Sequence, residues 1–127
     1  MKSDRFRAAA EGKDFSAMDD LFAEDVVFRS PVVFKPYDGR DQVQLILSAV
    51  VQVFEEFRYI EQVETGDVAV LQFETRVGDR QLQGVDILKF AEDGAISELT
   101  VMVRPLSGIH ALAEAMQKLL ESPTALR

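Results

Sequence analysis

The chain has 127 residues, enough for one hydrophobic core and too few for two, so a single domain over 1–127 is expected. A hydrophobic fraction of 47% and a charged fraction of 28% exclude the disordered and fibrous classes. A net charge of −8 without any run of lysine or arginine removes the drive toward nucleic acid and anionic membrane, and the absence of cysteine excludes disulfides and thiolate chemistry.

In chain order, Ser3 or Asp4 is placed to cap a helix that carries Phe6, Ala9 and Ala10 on one face and stops near Gly12. A second short helix is predicted from Phe15 to Phe22, gathering Phe15, Met18, Leu21 and Phe22. Val26-Val27-Phe28 reads as a strand stopped by Ser30-Pro31, and Pro36, Asp38 and Gly39 mark a loop. From Arg40 to Glu56, the residues Val43, Ile46, Leu47, Val50 and Phe54 recur at helical spacing. Four strands follow, Phe57 to Val63, Val68 to Val77, Leu82 to Phe90 and Ile96 to Val103. The turns between them, at Thr65-Gly66-Asp67, Gly78-Asp79 and Asp93-Gly94, are too short for anything but antiparallel neighbours. Ser107 is placed to cap a last helix with Ile109, Leu112, Ala113, Met116, Leu119 and Leu120 on one stripe, ending near Ser122-Pro123. Helices followed by a run of long antiparallel strands predict an α+β domain in which helices cover one face of a curved sheet. The N-terminal stretch has no apolar core followed by a cleavage site, and no segment reaches the roughly 18 apolar residues of a bilayer span, so a cytoplasmic location is the expectation.

One residue breaks the pattern. Alternation puts Leu82, Gly84, Asp86, Leu88 and Phe90 on one face of their strand, so Asp86 falls on an apolar face. The neighbouring strands add Leu71 and Phe73, then Leu99, Val101 and Val103, to the same wall. A carboxyl there loses hydration, which disfavours its ionised form and leaves an acid able to donate a proton near neutral pH. The structural alternatives are a carboxylate that caps a backbone group, pairs with an arginine, or sits at a wet rim.

The order and spacing of three segments carry a family resemblance. They are Gly12-x5-Met18-x2-Leu21-Phe22-Ala23-Glu24-Asp25, then Ser30-Pro31 with Gly39 after it, then Gly84-Val85-Asp86-x3-Phe90-x3-Gly94-x-Ile96. In these the chain resembles the NTF2-like superfamily, particularly its SnoaL-like and ketosteroid-isomerase-like branch. The resemblance implies a cone: a strongly curved, mostly antiparallel sheet wrapped around N-terminal helices and enclosing an apolar pocket. Ketosteroid isomerases use a tyrosine and a protonated aspartate as oxyanion donors and a second aspartate as base. By resemblance Phe6 stands at the tyrosine position, Ser30 at the base and Asp86 at the oxyanion aspartate. Limonene-epoxide-hydrolase-like members need an acid where Val101 stands, whereas SnoaL-like cyclases rely on a single acid.

Two functions fit these residues. One is an isomerase, cyclase or hydrolase of a small hydrophobic substrate with Asp86 as acid or hydrogen-bond donor. The other is a non-catalytic ligand-binding or protein-interaction domain. The expected pocket residues are Phe6, Ser30, Ile46, Tyr59, Leu71, Phe73, Leu99, Val101 and Val103 around Asp86. Tyr37 and Tyr59 can each supply a hydroxyl, with Tyr59 sharing a strand face with Phe57 and Glu61. One histidine, His110, off the apolar stripe of its helix, and no cysteine give no metal site. Singly placed glycines give no phosphate loop, so no cofactor is expected. The convex face carries Val85, Ile87 and Met102, which points to a homodimer.

Overall fold

The apolar alternation of the second half of the chain becomes one sheet, and a computed structural model shows it for the described residues, 1–16 and 20–121. The elements are α1 (Asp4–Glu11), β1 (Phe22–Arg29), β2 (Tyr37–Asp38), α2 (Arg40–Val53), β3 (Glu55–Thr65), β4 (Val68–Val77), β5 (Arg80–Phe90), β6 (Ile96–Arg104) and α3 (Leu106–Glu121). The strands lie in the order β2-β1-β6-β5-β4-β3. All neighbours are antiparallel except β1 and β6, which run parallel.

The long strands β4 and β5 pair without interruption from Val68↔Lys89 to Val77↔Arg80. Register shifts interrupt three of the other ladders: in β3 on either side of Arg58-Tyr59, in β6 opposite Lys89 and Phe90, and in β1 between Phe22 and Val27. Such irregularities bend a strand and sharpen its twist, so the sheet curls around the helices and is strongly curved. Two hairpins close on two-residue turns whose first residue, Gly66 or Gly78, has φ near +60° (57° and 61°), a conformation that glycine adopts without strain.

The concave face is the core. Leu71, Leu82, Leu88, Ile96 and Leu99 are fully buried there, and α1 adds Phe6, Ala9 and Ala10. The expected alternation in β5 holds at every position from Leu82 to Phe90, with even-numbered residues buried and odd-numbered ones more exposed. Among the described residues, no helix is long and apolar enough to cross a membrane.

Several boundaries differ from the sequence reading. The predicted helix from Phe15 to Phe22 is not a helix at its described ends: Phe15 lies in an irregular stretch, Leu21 in a turn, and Phe22 opens β1 opposite Ile96. Met18 in that segment, and the Ser122-Pro123 stop expected for the last helix, lie outside the described residues. Phe22 favours the strand because a β-prone aromatic finds a fully buried place against β6 there. The helix predicted to run to Glu56 stops at Val53, since Phe54 is already extended and Glu55 pairs with Arg76 in β3. Ser3 occupies the cap position of α1 without capping: its hydroxyl donates instead to Glu64 Oε1 at 2.8 Å. Leu106 already belongs to α3, so Ser107 is inside the first turn and not its cap.

Candidate functional site

Three side chains on the concave face meet because of strand register. In β5, Asp86 stands opposite Leu71 of β4 and Val101 of β6; one inward position further along, Gly84 stands opposite Phe73 and Val103. Tyr59 of β3 stands opposite Phe73. The missing side chain at Gly84 leaves the space for the Phe73 ring: a Cβ there would lie 2.3 Å from Phe73 Cζ. Phe73 in turn packs edge-on against Tyr59, with ring centroids 6.2 Å apart, and Phe57 does so from another side at 4.9 Å. Held between these rings, Tyr59 directs its hydroxyl at Asp86.

The result is a hydrogen bond of 2.6 Å from Tyr59 Oη to Asp86 Oδ2. Asp86 is 6% exposed, has no arginine or backbone partner among the described residues, and lines a cavity of about 390 Å³. The alternatives of a capping carboxylate, an arginine pair or a wet rim do not describe it. Burial pushes the Asp86 carboxyl from its ordinary 3.8 up to about 7, with the Tyr59 hydrogen bond pulling the other way. Burial first, and then the neighbouring carboxylate, push the Tyr59 hydroxyl well above its ordinary value, so Tyr59 stays a donor. With Oδ2 held as an acceptor, a proton on Asp86 belongs on Oδ1. No side-chain oxygen or nitrogen is both sealed and unpartnered among the described residues, so Oδ1, which has no protein partner among them, retains access to the cavity.

The cavity wall is apolar and aromatic. Of the nine phenylalanines and two tyrosines, all but Phe22, Phe34 and Phe90 line it. Its polar groups among the described residues are Asp86, Tyr59, Ser30, Tyr37 and Gln117, with no lysine, arginine or histidine between them. Ser30 Oγ accepts from the Val32 amide at 3.0 Å, which leaves its own proton for a guest.

Of the residues expected at the pocket, the structure brings Phe6, Ser30, Ile46, Tyr59, Phe73, Val101 and Asp86 onto this wall. Leu71 and Leu99 are elsewhere: each is 0% exposed and closed in by core side chains. Val103 is off the wall as well; it borders a separate hollow of about 240 Å³ with Gln72, Gln83, Val85 and Met102. Glu61 does not share a face with Tyr59, because the register shift between them pairs Tyr59 with Phe73 and Glu61 with Gln72, turning Glu61 outward. Sequence reasoning missed Phe54 and Phe57, and it missed the loop residues Pro31, Val32 and Val33 and the α3 residues Leu112 and Met116, all on the wall. The aromatic spacing Phe54-x2-Phe57-x-Tyr59 was the signal for the first two. His110 is exposed. Among the described residues, no group of three or more His, Cys, Asp or Glu is arranged to hold a metal ion.

Comparison with known proteins agrees with this fold. A steroid delta-isomerase from Pseudomonas aeruginosa is 41% identical over 94% of this chain and 88% of its own, with a TM-score of 0.90. A protein with a cystatin-like fold from Silicibacter pomeroyi is 34% identical over 95% of this chain and 86% of its own, also at 0.90. An NTF2-like protein from Mesorhizobium loti, 24% identical over 82% and 88% of the two chains with a TM-score of 0.73, shares the fold. No curated protein matches the sequence. The SnoaL-like domain model matches residues 4–99. With its cone, its apolar cavity and its buried acid in place, the chain belongs to the SnoaL-like domain family of the NTF2-like superfamily.

Proposed function

We propose that the protein is an acid–base isomerase of a small, uncharged, mostly apolar carbonyl compound, with Asp86 as its proton carrier. The observation that carries this is a carboxyl buried in the wall of an apolar cavity, one oxygen fixed by Tyr59 and the other open to a guest, where burial pushes its pKa up to about 7. A group with a pKa near the working pH is well suited to take and return a proton. The 41% identity to a steroid delta-isomerase supports the same class of chemistry.

In the reaction proposed, Asp86 Oδ1 takes a proton from a carbon beside the carbonyl. The C–H bond breaks, an O–H bond forms on Asp86, and the freed electron pair moves toward the carbonyl oxygen as an enolate. Asp86 then gives the same proton back at another carbon of the conjugated system, restoring the carbonyl and the carboxylate. No co-reactant is needed. Ser30 and Tyr37 bring further hydroxyls to the wall that can donate to the enolate oxygen. An anionic substrate fits poorly, because no cation among the described wall residues would offset its charge beside Asp86.

The test is spectroscopic. A ketosteroid whose double bond is out of conjugation with its ketone gains strong ultraviolet absorbance when isomerised, and Asp86→Asn should lower kcat by about 10²- to 10⁴-fold. Equal rates for wild type and Asp86→Asn would end the catalytic reading. Phe6 and Ser30, which line the cavity without a phenol or a carboxyl, favour the second reading of a ligand-binding domain. Saturable binding of the ketosteroid with no turnover would establish it.

We also propose a homodimer through the convex face. Val63 and Met102 are 61% and 56% exposed there and Val70 is 37% exposed, beside half-buried Val85 and Ile87.

A further inference from the structure

We propose that Arg7, outside the cavity, is a positioning residue that sets the strength of the buried acid by acting through the ring of Tyr59. The proposal rests on the reading of Asp86 as proton carrier. It starts from a contact of Tyr59 with a residue that is not part of the cavity wall: the Arg7 guanidinium carbon is 5.7 Å from the centre of the Tyr59 ring, within cation–π range.

Arg7 is held there by a network. Its Nη1 donates to Gln62 Oε1 at 2.9 Å and its Nε to Glu11 Oε1 at 3.3 Å. Gln62 is itself fixed, since its Nε2 donates to Ser3 Oγ at 2.8 Å and to Asp4 Oδ1 at 3.0 Å. Ser3 is 0% exposed and donates onward to Glu64. A long, flexible cation is thus presented to the phenol in one place by α1 and β3.

The electrostatic consequence has a definite sign. A positive charge over the ring stabilises phenolate character, which makes the hydroxyl a better donor. The charged groups acting on the phenol are Arg7 in that direction, and Asp86 and Glu11 in the other. A stronger donor favours the Asp86 carboxylate, because the bond from Tyr59 is what opposes burial there. Arg7 does not line the cavity, so it cannot act by contacting the substrate. Loss of Arg7 should therefore raise the Asp86 midpoint, and loss of the Glu11 charge should not raise it.

The experiment is a carboxyl ¹³C NMR titration of the aspartates, with the Asp86 signal identified by its loss in Asp86→Asn. Arg7→Met keeps the stem and removes the charge, and should move the Asp86 midpoint upward by a few tenths of a pH unit. Arg7→Lys should restore most of the shift. In a Tyr59→Phe background Arg7→Met should move nothing, because the relay is already cut. An unmoved midpoint in Arg7→Met, or an equal shift with and without the Tyr59 hydroxyl, overturns the proposal while leaving Asp86 as proton carrier. A wild-type midpoint at the ordinary carboxylate value would instead overturn the functional reading itself. A variant that only lost stability would show a lower unfolding midpoint with the Asp86 titration unmoved, and that outcome counts against the proposal.

Discussion

The Tyr59 hydroxyl and the Asp86 carboxyl, 2.6 Å apart, join two strands that are not neighbours in the sheet. β4 lies between β3 and β5, so the bond crosses over it on the concave side, where Leu71 and Phe73 support it from beneath. A flat sheet would set β3 and β5 about 9.6 Å apart. Curvature and the length of a tyrosine close that distance, which ties the strength of the acid to the shape of the cone.

Removing the hydroxyl should change the acid and the fold together. In Tyr59→Phe the Asp86 midpoint should rise above about 7, because the interaction that lowers it is gone. Above neutral pH, where Asp86 is ionised and then lacks its partner, unfolding in urea should show a loss of about 1–3 kcal/mol. Carboxyl NMR and urea titrations at pH 8 check both.

Stability should fall as pH rises through the acid's range. Asp86 holds its proton up to about 7 when folded and only to about 3.8 when unfolded. Between those values the folded chain binds more protons, so each step up in pH favours unfolding. Across the whole window the cost is roughly 4 kcal/mol, an upper figure for a single group. Denaturation curves at pH 5 and pH 8 should diverge for wild type and nearly coincide, apart from contributions of other groups, for Asp86→Asn.

Gly84→Ala should distort the cavity from behind. The new methyl would stand 2.3 Å from Phe73 Cζ and 2.7 Å from the Met102 carbonyl oxygen, and the ring is the part able to move. Its displacement toward the cavity should cost about 1–3 kcal/mol of stability and weaken ketosteroid binding, measured by denaturation and by calorimetric titration.

Ser30→Asp asks whether chemistry is limited by the missing second acid. A carboxylate on the same cavity wall as Asp86 could take the base role while protonated Asp86 donates to the carbonyl. The isomerisation rate should rise about tenfold or more. The pH profile should also broaden, because ionisation of one carboxyl raises the pKa of the other in the same cavity and so separates the two steps.

How far the sequence carries follows from which signals are periodic. Alternation located Asp86 on the inner face, and the two-residue turns located the antiparallel ladder from Val68 to Arg80. The resemblance to known families supplied the cone. What alternation could not give was the break in its own rhythm: the shift after Tyr59 places Glu61 outside, and nothing in the residues Tyr59-Ile60-Glu61 announces it. Nor could strand faces separate wall from filled core, so Leu71 and Leu99 pointed the right way yet found no empty space. Helix-borne and loop-borne wall residues such as Met116 and Val33 depend on packing angles, which leave no mark on local spacing.

That break in β3 also sets where the chain can lose a residue. Ile60 is the unpaired residue between the pairs Tyr59↔Phe73 and Glu61↔Gln72. Excising it would leave both pairs standing, with Tyr59 and Gln62 still inward and Glu61 and Val63 still outward. What disappears is the local bend that the extra residue creates. A chain shortened at Ile60 should therefore still fold, with the phenol drawn back from the acid as β3 straightens. The same one-codon loss at Val70, inside the uninterrupted β4–β5 ladder, would turn the rest of that strand over and send apolar side chains into water.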